Sequence, residues 1–183
     1  LSLHDALPIL KIIGVTGTNG KTTSTYLLEG FLGNCSRIGT VEYKIGDEIM
    51  EAPNTTPESL DLIKMMRKTV DKGIKYFVME VSSHAIEQGR IEGLEFALKV
   101  HTNITRDHLD YHKTIEEYIR VKNSFLSDET PKLINKDDPV VKYNIKNGFA
   151  YSLETPSTYK VDAYSFKNGT HVMFNHFGKH FSF

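Results

Sequence analysis

The sequence has one cysteine, Cys35, so no internal disulfide can form. A single thiol suits a reducing compartment, and a small packing role is expected for it. There is no basic excess: 22 Lys and Arg stand against 23 Asp and Glu, a formal net charge of −1. That balance argues against nucleic acid as a main partner. No apolar run approaches the roughly 20 residues of a membrane-spanning helix, so no membrane partner is expected. Leu1–Pro8 is apolar but lacks the basic start and cleavage pattern of a signal peptide. It fits nothing downstream and is read as a flank. Internal repeats and low-complexity segments are also absent. What is there is an ordinary globular composition, 39% hydrophobic over 183 residues, enough for one sizeable core.

Along the chain, short apolar runs alternate with helical patterns. Strands are expected at Ile9–Val15, Cys35–Val41, Lys75–Val81, Phe96–Thr102 and Lys132–Asn135, with helices at Thr23–Leu32 and from Thr114 to about Leu126. Gly46-Asp47 marks a small hairpin between Glu42–Ile45 and Glu48–Glu51. Thr56-Pro57-Glu58 reads as an N-cap, a proline at N1 and an acidic first turn. That helix carries Leu60, Ile63, Met66 and Val70 and ends near Gly73. A short helix or turn is expected at Ala85–Gln88. Asp137-Asp138 reads as a turn and cap before a short helix, Asp138–Lys146. Later strands are expected at Phe149–Leu153, Tyr159–Phe166, His171–Asn175 and Lys179–Phe183, with a hairpin turn at Asn168-Gly169. The pattern predicts an α/β fold: a mainly parallel sheet flanked by helices, with a small β-hairpin and an antiparallel β extension at the C-terminal end.

Gly14–Thr22, Gly-Val-Thr-Gly-Thr-Asn-Gly-Lys-Thr, lies between a strand and a helix, where a phosphate-binding loop belongs. Val15 stands where the strict pattern has its first glycine, and Gly14 comes one residue early. Lys21 would supply charge to the outer phosphates, and the Thr22 hydroxyl would hold Mg²⁺. Glu80 ends an apolar strand, a common place for a carboxylate on the nucleotide's Mg²⁺. Three strand ends carry polar clusters, Thr16–Thr22, Glu80–His84 and Asn103–His112, and their shared edge is the expected site. His108 and His112 are spaced for one helix face, but without a glutamate between them or a cysteine cluster zinc is the weaker reading. Single metal or phosphate contacts fit better, and a packed imidazole stays open for His112. On a helical projection Lys122 falls in the middle of an apolar face with Ile115, Tyr118, Ile119, Phe125 and Leu126. Such a lysine either snorkels to an edge or is held neutral for chemistry, including carbamate formation with CO₂. His171, His176 and His180 lack ligand spacing and are read as structural.

Four segments together resemble the central domain of the Mur ligases: residues 14–23, Asn-Thr-Thr-Pro-Glu-Ser at 54–59, Met-Glu-Val-Ser-Ser-His-Ala at 79–85, and Thr-Asn-Ile-Thr-Arg-Asp-His-Leu-Asp-Tyr-His at 102–112. The likeness runs from about Ile9 to the C-terminus and is strongest to the tripeptide-forming branch. It implies an ATP-dependent amide ligase of peptidoglycan precursor synthesis in the cytoplasm, monomeric and acting on small molecules. ATP would phosphorylate the D-glutamyl carboxylate of UDP-N-acetylmuramoyl-L-alanyl-D-glutamate, and a diamino acid would attack the acyl phosphate.

By this resemblance Gly17, Thr18, Asn19, Gly20, Lys21, Thr22 and Thr23 bind ATP. Lys21, Lys122 and His108 are catalytic. Thr22 and Glu80 hold one Mg²⁺, while His108 and a CO₂-derived carbamate on Lys122 hold a second. Asn54, Thr55, Thr56, Ser82, Gln88 and Arg90 contact the UDP-muramoyl-peptide. His101 stands where the family usually has phenylalanine. The family's uridine-binding and C-terminal domains have no counterpart, so the chain alone is not expected to ligate. A folylpolyglutamate synthetase-like ligase, a small-molecule kinase and a non-catalytic nucleotide-binding module are the alternatives.

Overall fold

The computed structural model describes residues 10–107 and 109–182. The flank Leu1–Pro8, the start of the first strand at Ile9, the proposed ligand His108 and the terminal Phe183 lie outside the described residues.

The first strand, β1 (Lys11–Thr16), pairs in parallel with β5 (Tyr76–Glu80) on one side and β6 (Phe96–His101) on the other. Beyond β5 comes β2 (Cys35–Ile38), also parallel, and then the antiparallel pair β3 (Glu42–Ile45) and β4 (Glu48–Glu51). Beyond β6 come β7 (Lys132–Asn135), β8 (Gly148–Ser152) and β9 (Tyr159–Ser165), each parallel to its predecessor. The antiparallel strands β10 (His171–His176) and β11 (Lys179–Ser182) finish the sheet. The order is β11-β10-β9-β8-β7-β6-β1-β5-β2-β3-β4, so both the expected parallel core and its antiparallel extension are present.

The helices are α1 (Lys21–Leu32), α2 (Ser59–Asp71), α3 (Ser83–Glu87), α4 (Leu109–His112) and α5 (Ile115–Ser124). Side chains alternate across a strand, so the central strands bury both faces. Ile12, Phe77 and Met79 share one core with Leu62 and Met66 of α2 and with Phe125 and Leu126 after α5. Ile13, Val15 and Val78 form the other, with Leu28 and Leu32 of α1 against them. Cys35 packs in that second core, its thiol pushed up to about 11 by burial.

Two helix expectations change. Thr56 is not a cap: α2 starts at Ser59, with Glu58 at the cap position and no side-chain cap bond. The Thr56 hydroxyl instead donates to the Glu80 carbonyl at 2.8 Å. The buried face of α2 is Leu62, Met66 and Thr69, while Leu60 is exposed. Residues 138–146 form no helix. Pro139 follows Asp138, whose carboxylate accepts the Ile104 and Val140 amides and so binds the segment as a brace. At α5 Thr114 is the cap, its hydroxyl accepting the Glu117 amide at 3.2 Å. Glu117 turns to Arg120 rather than back to Thr114, so only half of a capping box forms.

Candidate active site

The sheet brings the ends of β1, β5 and β6 together, since Val15 faces Glu80 and Thr16 faces His101 in register. After Thr16 the chain turns through Gly17 (φ 147°) and Gly20 (φ 84°), and Gly20 caps α1. A side chain at Gly17 would place its Cβ 1.9 Å from Thr102 Oγ1, so the loop closes there only with glycine. Gly14 serves another purpose. It lies inside β1, where a Cβ would meet the rings of Phe96 and Phe125 at 2.7 and 2.9 Å. Its early position is a packing requirement and not a part of the loop.

Lys21 folds back over the loop, donating to the Gly17 and Thr18 carbonyls at 2.9 and 2.8 Å. Burial lowers its pKa, opposed by the Glu80 and Asp107 carboxylates. Thr22 Oγ1 donates to Glu80 Oε1 at 2.8 Å. Glu80 is fully buried and also accepts the Thr40 amide at 3.0 Å and its hydroxyl at 3.1 Å. Gly39 allows that approach, because a Cβ there would lie 2.3 Å from Glu80 Oε1.

Lys122 does not snorkel. It is 1% exposed, and its amine donates to Thr16 Oγ1 at 3.2 Å and to the Gly17 carbonyl at 3.0 Å. Burial first, and the Lys21 ammonium second, pull its pKa down to about 7.

A cavity of about 430 Å³ opens between these groups and a second polar wall. Lys21, Thr18 and Lys122 line one side; Asn54, Thr55, Thr56, Ser82 and Arg90 line the other. Ser82 accepts the Ala85 amide as the cap of α3, and its own amide donates to Thr56 Oγ1. Arg90 donates to the Thr56 carbonyl at 2.9 Å and to Gln88 Oε1 at 2.6 Å, and pairs with Glu58. Gln88 stands behind Arg90 and donates in turn to Tyr111 Oη at 3.1 Å. Asn19, Gly20 and Thr23 stay on the loop and the helix start, outside the cavity lining.

Ser83, His84 and Asp107, from the two expected strand-end clusters, line it too, and the structure adds one residue that the sequence did not point to, Thr40. Thr40 sits in a bend after β2, where no periodicity marks it. His112 takes the packed alternative, buried with Nε2 hydrogen-bonded to Ser83 Oγ at 2.8 Å. Of the helix-face pair, His108 lies outside the described residues.

With the geometry in place, comparison with known families decides the relationship. The Mur ligase middle domain matches residues 15–183. The chain belongs to the Mur ligase family. A UDP-N-acetylmuramoyl-L-alanyl-D-glutamate–2,6-diaminopimelate ligase of Wolinella succinogenes is 50% identical over 165 residues, covering 87% of this chain and 38% of that protein. The protein of the same name from Fusobacterium nucleatum is 51% identical over 159 residues, 76% of this chain and 33% of the relative. A solved structure with that ligase name superposes with a TM-score of 0.80 at 28% identity, over 98% of this chain and 40% of the other. The chain thus spans little more than a third of the length of these Mur ligases. Among the described residues no helix is long and apolar enough to cross a membrane.

Proposed function

We propose that this Mur ligase chain forms the ATP site and the acyl-phosphate-forming centre of a ligase that adds 2,6-diaminopimelate to UDP-N-acetylmuramoyl-L-alanyl-D-glutamate. One observation carries the reading. The amines of Lys21 and Lys122 converge on the Gly17 carbonyl at the edge of a cavity whose opposite wall holds Thr56, Ser82 and Arg90. The names of the relatives supply the substrate class.

The reaction has to bring two anions together, a carboxylate and the γ-phosphate, without mutual repulsion. Lys21 neutralises the phosphate side, and the first-turn amides of α1 add the positive end of the helix dipole. Arg90 and the Ser82 and Thr56 hydroxyls bind and orient the muramoyl-peptide. A D-glutamyl carboxylate oxygen then attacks the γ-phosphorus while the bond to ADP breaks. The diaminopimelate amine attacks the acyl carbon, forming the amide and releasing phosphate.

The residues present fit the implied metal. Thr22 and Glu80 offer hard oxygen donors 2.8 Å apart beside the loop, as Mg²⁺ prefers. Bound there, Mg²⁺ would draw charge from the phosphate oxygens. The Lys122 amine, buried and largely neutral above pH 7, fits carbamate formation, which would turn it into a carboxylate-like ligand. The single buried thiol and the need for ATP support a cytoplasmic setting.

The test is a segment exchange. This chain replaces the matched segment of the Wolinella ligase, and the hybrid is assayed with ATP, the UDP-muramoyl-dipeptide and 2,6-diaminopimelate. Amide product that disappears with Lys122→Ala supports the reading. A folded hybrid that binds the dipeptide substrate but splits no ATP contradicts it.

A further inference from the structure

The loop that carries Lys21 is held from outside as well as by Lys21 itself. Its backbone is gripped from the end of β6 by Asn103. Asn103 Oδ1 accepts the Asn19 amide at 3.1 Å, and Asn103 Nδ2 donates to the Asn19 carbonyl at 3.0 Å. The Asn103 carbonyl accepts the Thr18 amide at 2.7 Å. One carboxamide thus meets both peptide groups of one loop residue, much as a neighbouring strand would, and Thr102 Oγ1 adds a second donor to the Asn19 carbonyl at 2.7 Å. Only Asn and Gln carry a donor and an acceptor side by side, and Gln is one methylene longer.

The grip is anchored. Thr102 donates its amide to the Thr16 carbonyl at 3.0 Å, and its own carbonyl accepts Asn135 Nδ2 at 2.8 Å. The Ile104 amide donates to the buried Asp138 carboxylate at 2.6 Å. Asn103 therefore sits between two fixed points at the sheet edge, and the loop is set against it.

The arrangement divides the loop's donors. The amides of Thr18 and Asn19 are taken by Asn103. The first intrahelical bond of α1 runs from the Ser24 amide to the Gly20 carbonyl, so the amides of Lys21–Thr23 come before it in the first turn. Such first-turn amides are the donors that a helix start offers to an anion.

We infer that Asn103 is a positioning residue for the nucleotide: by holding both peptide groups of Asn19 it fixes the loop so that the Lys21–Thr23 amides face the phosphates. The inference rests on the nucleotide-binding reading of this loop. Asn103 itself makes no contact with the nucleotide; it acts through Asn19.

The experiment titrates the chain with Mg-ADP and follows hydrogen exchange of the Thr18, Asn19 and Val15 amides. Asn103→Ala is expected to lose exchange protection at Asn19, keep it at Val15, and bind ADP about tenfold more weakly, the loss of two hydrogen bonds. Asn103→Asp keeps an acceptor for the Asn19 amide but faces its carbonyl with lone pairs, and is expected to bind more weakly still. Asn103→Gln is expected to recover part of the affinity, and Asn103→Asp stands in for Asn103→Ala should that variant not fold. Wild-type affinity in folded Asn103→Ala, or in Asn103→Asp when it stands in, overturns the inference. Failure of the wild-type chain to bind ADP overturns the nucleotide reading itself, and the inference with it.

Discussion

Lys21 and Lys122 donate to the same acceptor, their Nζ atoms 2.9 and 3.0 Å from the Gly17 carbonyl oxygen. Two ammonium groups on one carbonyl repel, and burial penalises the deeper charge further. Burial lowers the pKa of both amines against the pull of Glu80 and Asp107, and that of Lys122, which also feels the Lys21 ammonium, falls to about 7. Of the two amines, Lys122 is thereby the one left partly neutral, and so nucleophilic, near pH 7.

That split predicts a specific adduct. A neutral Lys122 amine adds to CO₂, forming an N–C bond and releasing one proton. With ¹³C-bicarbonate at pH 8, carbon NMR of the chain is expected to show a carbamate resonance that Lys122→Arg abolishes. Lys21→Ala removes a cause of the lowered pKa, so the signal at pH 7 should weaken. A wild-type spectrum without the resonance would contradict the assignment.

His101 predicts the acid limb of stability. It is fully buried at the end of β6, with Nε2 3.2 Å from the Asp138 carboxylate. Burial pulls its pKa from 6.5 down to about 4, Asp138 opposing and Lys122 adding. Between those values the unfolded chain binds a proton that the folded chain refuses. Stability is therefore full above pH 6.5 and falls towards pH 4, by up to about 1.4 kcal/mol per pH unit. His101→Phe should flatten this limb in denaturant titrations at several pH values. Parallel wild-type and variant curves would exclude the effect.

Gly14 and Gly17 should separate stability from binding. Gly14→Ala presses a methyl group against Phe96 and Phe125, an overpacking that costs about 1–3 kcal/mol, and leaves ADP affinity alone. Gly17→Ala collides with Thr102 at the loop and should abolish ADP binding. Calorimetric melting and ADP titration of both variants check this. Lost binding in a folded Gly14→Ala would return that glycine to the loop.

Much of this was legible in the sequence because it is local. The glycine-lysine spacing marks the phosphate loop, and helical periodicity alone puts Lys122 on an apolar face. What escaped depends on contacts between distant segments. Thr56 has the sequence of a helix cap, yet its hydroxyl is taken by the Glu80 carbonyl, 24 positions along the chain. Asp138 looks like a helix start, but its carboxylate serves Ile104. Thr40 joins the expected Ser83, His84 and Asp107 at the cavity only because the parallel strands end at one edge.

Nucleotide binding by Lys21 and its loop underlies the proposed activity. Calorimetric titration of the chain with Mg-ADP, wild type against Lys21→Ala, tests it most directly. Saturable one-to-one binding is expected, weakening at least about tenfold in the variant, with the melting temperature little changed. Equal binding by both proteins, or none by the wild type, would contradict it.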